Sequence, residues 1–117
     1  MSVSAHLKFD DLNGALKAAG EETRLRILVL LAQAELTVSD LTQILRQSQP
    51  RISRHLRLLS EAGLVERFRE GAWAFFRLAE GSGSAAFARE MIARLDVRVA
   101  GIRTRREVAK MARSVTC

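Results

Sequence analysis

The apolar residues of this chain change their spacing twice, which limits the folds open to it. They recur at helical spacing as far as Gly63, a residue type that suits the position just past a helix end. Two runs rich in strand-forming residues follow, at 64–69 and 72–78, with Glu70-Gly71 as the turn between them. From Ala85 the helical spacing returns. The pattern predicts a mostly α-helical fold with one small β-hairpin, in the order α-α-α-α-β-β-α.

The first third of the chain predicts two helices. One is capped by Asp10 or Asp11 and runs to about residue 19, and the second runs from about residue 21 to residue 33. Glutamates at the start of the second helix suit the positive end of the helix dipole. The apolar side chains expected to face inward are Phe9, Leu12 and Leu16 in the first helix, and Leu25, Ile27, Leu28, Leu30 and Leu31 in the second.

A short helix, a turn and a longer helix follow. Thr37 and Asp40 form a variant of the capping box, with aspartate in place of the usual glutamate, at the start of a helix over 38–45. After a turn at 46–50, a fourth helix runs to about residue 62. The residues expected to face inward are Leu41, Ile44 and Leu45 in the short helix, and Ile52, Leu56 and Leu59 in the long one. This pair of helices has the plan of a helix-turn-helix.

The net charge is unevenly distributed along the chain. The formal charge is +6, and arginines make up all but three of the 19 basic residues. Residues 1–45 carry a net charge of −2, whereas 46–79 and 80–117 carry +4 each. The planar guanidinium group suits phosphates and guanine edges. We therefore expect an acidic partner, double-stranded DNA, contacted by the second half of the chain.

The candidate DNA contacts lie in the fourth helix and the hairpin. Ser48 or Gln49 can cap this helix, and Pro50 fits its first turn because the N–H that proline lacks has no partner there. Polar side chains in its N-terminal half reach base edges when such a helix enters the major groove, whereas one turn further on a phosphate contact is favoured. The hairpin can act as a wing that touches the DNA backbone or minor groove. The predicted DNA-binding residues are Ser48, Gln49, Arg51, Ser53, Arg54, His55, Arg57, Arg67 and Arg69.

The residues assigned to DNA binding also have purely structural interpretations. An arginine-rich helix can be only a solvated face, and His55 can bond a phosphate or a backbone group, or be a half-buried structural histidine. The aromatic residues Trp73, Phe75 and Phe76 are interpreted as core or wing packing, because one hairpin lacks the wide sheet on which bases stack. The segment 81–84 is interpreted as a short flexible joint.

Several classes of protein are disfavoured. The apolar run 27–32 is far shorter than the ~20 residues of a membrane span, and residues 1–10 lack the pattern of a signal peptide, so a cytoplasmic protein is expected. The single cysteine, Cys117, has no partner for an internal disulfide, and two histidines with one cysteine make a zinc cage hard to assemble. No Ser/His/Asp set or phosphate-binding loop indicates an enzyme, and no cofactor is expected.

Residues 16–78 resemble the winged helix-turn-helix of the ArsR/SmtB family of bacterial transcriptional repressors. The stretches that carry the resemblance occur in the family's order and are 16–28, 35–41, 48–56 and 63–67, with the turn at Gly71. The resemblance implies a homodimer that is built from the first and last helices and binds an inverted repeat at a promoter. It also implies an effector that releases the DNA. A winged-helix module that binds proteins is the alternative, and the exposed arginines argue against it.

The same resemblance indicates which effectors to expect. Arsenic-sensing relatives carry a cysteine pair where this chain has Thr37 and Ser39, whose hydroxyls are poor ligands for a soft ion. Zinc-sensing relatives combine histidines with carboxylates on the last helix, which here has Glu90, Asp96 and Glu107 but no histidine. Redox-sensing relatives use two cysteines. We therefore expect a small organic effector or none, and a metal or redox response at an atypical site is the alternative.

The last helix is predicted to be the dimer seam. Within a single domain of residues 1–117, we assign 10–79 to the helix-turn-helix core and wing, and 85–113 to a C-terminal dimerisation helix. Its apolar stripe is Phe87, Met91, Leu95, Val99 and Ile102. A second interpretation is a basic tail along DNA phosphates, formed by Arg103, Arg105, Arg106, Lys110 and Arg113. The stretch 48–59 and this arginine-rich helix are also similar to the regulator half of proteins that fuse such a domain to an S-adenosylmethionine-dependent methyltransferase.

Overall fold

The structure is a computed structural model and describes residues 7–96. Within that range the predicted fold class and element order are confirmed. The elements are α1 (Phe9–Ala19), α2 (Glu22–Leu31), α3 (Val38–Leu45), α4 (Gln49–Glu61), β1 (Val65–Glu70), β2 (Trp73–Leu78) and α5 (Gly83–Ala93). None of these helices is long and apolar enough to cross a membrane.

The core is built around α2 and α4. The residues of α2 from Ile27 to Leu31 are all buried, and only its first leucine departs from the prediction, since Leu25 is exposed. The predicted inner face of α4 is confirmed, because Ile52, Leu56 and Leu59 are almost completely buried. α3 contributes Leu41 to the same core. Apolar burial of this kind fixes the rotation of each helix about its own axis.

The predicted inward face of α1 was wrong. This helix buries small side chains, Ala15, Ala18 and Ala19, whereas Phe9 is 80% exposed and Leu16 is 45% exposed. Alanine lets two helix backbones approach closely, and α1 packs against both α2 and α4. Phe9 and Leu16 are therefore left on the outside of the described fold, whereas Leu12 is half-buried.

The helix ends show which capping predictions hold. The capping box of α3 is confirmed, since Thr37 Oγ1 accepts from the N–H of Asp40 at 3.0 Å, and Asp40 Oδ2 accepts from the N–H of Thr37 at 2.9 Å. The cap position of α1 is occupied by Lys8, without a side-chain bond. Asp10 and Asp11 lie instead in the first turn, where their charges favour the helix N-terminus. Ser48 occupies the cap position of α4, also without a side-chain bond.

The hairpin is an antiparallel pair whose register runs from Val65 opposite Leu78 to Glu70 opposite Trp73. The turn therefore consists of Gly71 and Ala72, one residue later than predicted. Gly71 has φ 63°, which favours glycine in a two-residue hairpin turn. A single bridge between Leu36 and Phe76, with N–H···O distances of 3.1 and 2.7 Å, ties the segment before α3 to the wing. One residue pair has no periodicity, so the sequence did not predict this bridge.

The last helix begins earlier than predicted. Ser82 Oγ accepts from the N–H of Ala85 at 3.2 Å, so Gly83 and Ser84 are helical and 81–84 is not simply a flexible joint. A Cβ at position 83 would lie 2.6 Å from Leu7 Cδ2, so glycine permits this close approach.

Among the described residues, α5 ends at Ala93. The N–H of Leu95 bonds to the carbonyl of Ile92, a tighter three-residue closure that ends the α-helical pattern. Leu95 therefore lies beyond the helix. Residues 97–113, with the rest of the stripe and the predicted basic tail, lie outside the described residues, as do Glu107 and Cys117.

Asp40→Ala is expected to lower the free energy of unfolding by about 2 kcal/mol, because it leaves the buried N–H of Thr37 without its acceptor. Urea denaturation measures the change. Ser39→Ala, on the exposed side of the same turn, is the matched control and is expected to change stability by less than about 0.5 kcal/mol. Equal effects of the two substitutions would contradict a structural role for the capping box.

Candidate nucleic-acid interface

The turn between α3 and α4 is fixed by its own backbone and by α2. Arg46 ends α3 in the left-handed region, at φ 57°. Gln47 then donates its backbone N–H to Thr42 at 3.3 Å and its side-chain Nε2–H to Thr23 Oγ1 at 2.9 Å. The second bond joins the turn to the start of α2. These contacts hold α4 at a defined angle to the rest of the core.

The outer face of α4 carries most of the predicted contacts. Gln49 and Ser53 lie one turn apart, and Gln49 Nε2 donates to Ser53 Oγ at 3.0 Å. This bond joins two side chains that were each predicted to reach DNA. The exposed members of the predicted set in and just before α4 are Ser48, Gln49, Arg51, Arg54 and Arg57.

Ion pairing divides the arginines of the described part into two groups. Arg77 is paired, because its Nε lies 2.7 Å from Glu66 Oε2 and its guanidinium stacks over Phe68 at 4.4 Å from the ring centre. Arg89 donates to the carbonyls of Leu78 and Ala79. By contrast, a second group makes no side-chain hydrogen bond or ion pair within residues 7–96. Its members in the turn, α4 and the wing are Arg46, Arg51, Arg54, Arg57, Arg67 and Arg69.

The wing separates packing residues from exposed cations. Phe68 and Phe75 stack with their ring centres 5.7 Å apart, and Phe76 is buried in the core. These contacts confirm packing roles for Phe75 and Phe76. Trp73 was predicted to pack in the same way but is 51% exposed, because it stands next to the turn where the strand has left the core.

His55 lies between α2 and α4, with its side chain 14% exposed. Its Nδ1 is 3.2 Å from Arg24 Nη1 and 3.8 Å from Glu21 Oε1. Partial burial lowers the pKa of the His55 imidazole below its usual value; the Glu21 carboxylate opposes this effect and the charges of Arg24, Arg51 and Arg54 add to it. The structure thus places His55 in half-buried surroundings, unlike the exposed arginines beside it.

Arg24 and Glu21 were not among the predicted site residues. Arg24 makes three hydrogen bonds. Its backbone N–H donates to the Glu21 side chain, its Nε donates to the carbonyl of Ala18 at 2.6 Å, and its Nη1 contacts His55. The hydrogen bond from the Arg24 backbone N–H lowers the pKa of the Glu21 carboxyl below its usual value, and the charges of His55 and Arg24 add to this effect. An i, i+3 Glu–Arg pair at a helix start is a weak sequence signal, and the contact with His55 spans 31 positions.

Comparison with known proteins decides the family. The family described as "Bacterial regulatory protein, arsR family" matches residues 21–67. An uncharacterised HTH-type transcriptional regulator of Methanocaldococcus jannaschii is 38% identical over 74 residues, which cover 62% of this chain and 83% of that protein. The chain belongs to the ArsR family. The arsenical resistance operon repressor of Escherichia coli K12 is 51% identical over 63 residues, covering 53% of this chain and 54% of that protein.

Solved structures of similar proteins share the fold. HlyU from Vibrio cholerae matches with a TM-score of 0.64 and 33% identity, covering 77% of this chain and 91% of that one. A homodimeric winged helix-turn-helix DNA-binding domain from Mycobacterium bovis matches with a TM-score of 0.64 and 26% identity, covering 87% and 98%. The chain spans about half the length of the first curated relatives it matches, 54% and 49%.

The positions that carry cysteines in arsenic sensors have a different role in this ArsR chain. The hydroxyl of Thr37 accepts the N–H of Asp40 and so forms part of the α3 cap, and Ser39 is exposed. Among residues 7–96, no group of three or more His, Cys, Asp or Glu side chains is placed to hold a metal ion. Glu90 lies exposed on α5, and Asp96 lies after the end of that helix.

The free energy of unfolding is expected to fall as the pH drops from about 7 to about 5, in part because of His55. Its pKa in the folded protein is below the usual 6.5, so the unfolded chain binds the proton more readily. This contribution to stability is therefore complete above the unfolded pKa and is lost as the pH falls through the folded one.

Urea denaturation of the wild type and His55→Gln across this pH range measures the contribution. The decrease is expected to be smaller in the variant. The pKa values of the Glu21 and Glu66 carboxyls are also lowered, so these groups also reduce stability as the pH falls. Their effect develops below the usual carboxyl pKa of 4.5 and leaves the range from about pH 7 to about pH 5 largely unaffected. Parallel curves of the free energy of unfolding against pH for the two proteins would show that His55 has the same pKa in the folded and unfolded states.

Proposed function

We propose that this ArsR-family chain is a homodimeric transcriptional repressor that binds an inverted-repeat operator in double-stranded DNA. The observation that supports it best is a group of six exposed arginines on the turn, α4 and the wing that have no side-chain partner among residues 7–96. Phosphate oxygens satisfy such donors and neutralise their charge. Arg24, Arg77 and Arg89 are engaged within the fold, so the unpaired arginines of the helix-turn-helix and wing share one part of the surface.

In this proposal α4 enters the major groove. Its N-terminal half presents Gln49 and Arg54, side chains suited to adenine and guanine edges, while Arg57 one turn later contacts a phosphate. Arg67 and Arg69 follow the adjacent backbone or minor groove from the wing. The Gln49–Ser53 bond holds the glutamine amide in place before DNA binds, which reduces the rotamer freedom lost on binding.

The proposed dimer face lies on α1 and beside α5, which pack against each other. Phe9 and Leu16 are spaced i, i+7 and share one side of α1. Met91 and Leu95, near the end of α5, are also exposed. The M. bovis domain, described as homodimeric, supports this assembly. Two-fold symmetry would place the two copies of α4 ~34 Å apart, one turn of DNA.

We further propose that the protein responds to a small organic molecule or to no effector, and not to a metal ion. The engagement of Thr37 in the α3 cap supports this part of the proposal, because coordination through its hydroxyl would disrupt the capping box. A hydroxyl is also a poor ligand for a soft ion.

Arg54→Ala is expected to change the preference for one base pair in each half-site by ~1–3 kcal/mol, because the side chain is exposed in the N-terminal half of α4. Binding to a panel of single-base operator variants measures the change. Lys17→Ala removes one exposed positive charge from α1 and is the matched control. Equal weakening on every DNA sequence would assign Arg54 to a phosphate, and unchanged binding by Arg54→Ala would contradict both DNA-binding roles.

Leu16→Glu is expected to convert the dimer to a monomer, because it places a charge in the proposed apolar interface. Light scattering after size-exclusion chromatography measures the mass. Trp73→Glu introduces the same charge at an exposed apolar residue of the wing and is expected to leave the dimer intact. A monomeric wild type, or a Leu16→Glu variant that remains a dimer, would contradict this interface.

A further inference from the structure

A cleft of about 300 Å³ separates the start of α2 from one side of α4. It borders the proposed groove-facing side of α4 and shares Arg51 and Arg54 with it, whereas Glu21, Arg24 and Leu58 were not predicted as DNA contacts. Its lining residues are Glu21, Arg24, Arg51, Arg54, His55 and Leu58.

The cleft is positively charged. Three guanidinium groups line it, and Glu21 is the single carboxylate in the lining, which leaves a formal charge of +2 with a neutral histidine. Arg51 and Arg54 form no ion pair within residues 7–96. A concave surface with excess positive charge and low-dielectric walls attracts an anion.

Arg24 determines which hydrogen-bonding role His55 can play. A guanidinium group donates hydrogen bonds and does not accept them, so the 3.2 Å contact between Arg24 Nη1 and His55 Nδ1 requires an unprotonated Nδ1. The proton of the neutral ring is then on Nε2, which becomes a donor. The bond from Arg24 Nε to the carbonyl of Ala18 holds the guanidinium itself in place.

We infer that this cleft binds one phosphate of the DNA backbone, with Arg51 supplying charge and His55, held by Arg24, supplying a neutral Nε2–H donor, while Arg54 adds to the positive potential from the groove side. The inference rests on the proposed function, since it names the group that the DNA presents beside α4. Arg24 is a positioning residue in this arrangement. Glu21 faces the same imidazole and helps keep an anion off its Nδ1 side.

The location of the cleft favours a DNA phosphate over a free one. Arg54 belongs both to the cleft lining and to the exposed outer face of α4 that is proposed to enter the groove. A helix in the major groove has a phosphate backbone on either side. An anion held beside α4 therefore lies where one strand would pass.

The test uses the full-length protein and operator duplexes in which single phosphates are replaced by uncharged methylphosphonates. One position in each half-site is expected to weaken wild-type binding by roughly tenfold or more. In His55→Phe, which fills the space but cannot donate, the same replacement is expected to cost less than about threefold, because the contact is already lost. In His55→Gln, which keeps an N–H donor, most of the sensitivity is expected to remain.

Arg57→Ala is the matched control, since Arg57 is exposed on α4 but does not line the cleft. DNA binding by Arg57→Ala is expected to be as sensitive as wild-type binding to a methylphosphonate at the cleft position. ¹⁵N NMR of the imidazole provides a second readout. The Nε2–H tautomer is expected in the wild type, and Arg24→Lys is expected to lose this preference although its charge is unchanged.

Each outcome bears on the inference. If wild type and His55→Phe respond alike to every methylphosphonate, or if the ring carries its proton on Nδ1, the phosphate site is wrong while DNA binding stands. If the wild type binds no DNA, the proposed function itself fails. Inorganic phosphate, titrated at constant ionic strength, is a further probe. Saturable binding of this phosphate at His55 without DNA, and in competition with the operator, would assign the cleft to a soluble anion and contradict a DNA phosphate as its ligand.

Discussion

Burial of one side of α4 sets the direction of the exposed cations along that helix. Ile52, Leu56 and Leu59 are almost completely buried, and exposing any one of them would cost roughly 1.5–3 kcal/mol. Successive helix residues are about 100° apart, so these three side chains leave little freedom for rotation about the axis. Arg54 then points away from the core because Leu56 and Ile52 point into it. The proposed DNA-facing surface is in this sense a consequence of apolar packing.

Net charge alone does not locate this surface, because ion pairs within the fold neutralise part of the positive charge. Residues 46–79 carry a net charge of +4, yet Arg77 within them is surrounded by Glu35, Glu66 and Glu80. Those carboxylates come from the segment before α3, from β1 and from just after β2. Arg67 and Arg69, a few residues away on the same hairpin, have no such partners among the described residues. Tertiary contacts thus decide which arginines are available to a ligand.

Features with a local signal could be predicted from the sequence. The element order, the Thr37–Asp40 capping box and the inner face of α4 each depend on residues a few positions apart. The wrong face of α1 shows the limit of this reasoning: apolar spacing identified a stripe at Phe9 and Leu16, but only the tertiary fold shows that α1 meets the core through alanines.

Long-range contacts account for most of what was missed. The Leu36–Phe76 bridge joins single residues, and the Arg24–His55 contact joins two helices across 31 positions. Neither has a periodicity or a motif. His55 was recognised as a residue with two alternative roles, but the choice between them depends on Arg24, whose own position is set by the carbonyl of Ala18.

The same carbonyl links the two surfaces proposed for this protein. Leu16 lies on the proposed dimer face, and Ala18, two residues later on α1, accepts the Arg24 bond that holds His55. A single helix moves largely as a rigid body, so a change in its dimer contacts displaces the acceptor at its C-terminal end. Hydrogen bonds weaken steeply once they lose alignment, so the position of Arg24 depends on the position of this carbonyl. In the proposed dimer, an effector that shifted α1 would therefore act on the phosphate cleft without contacting α4.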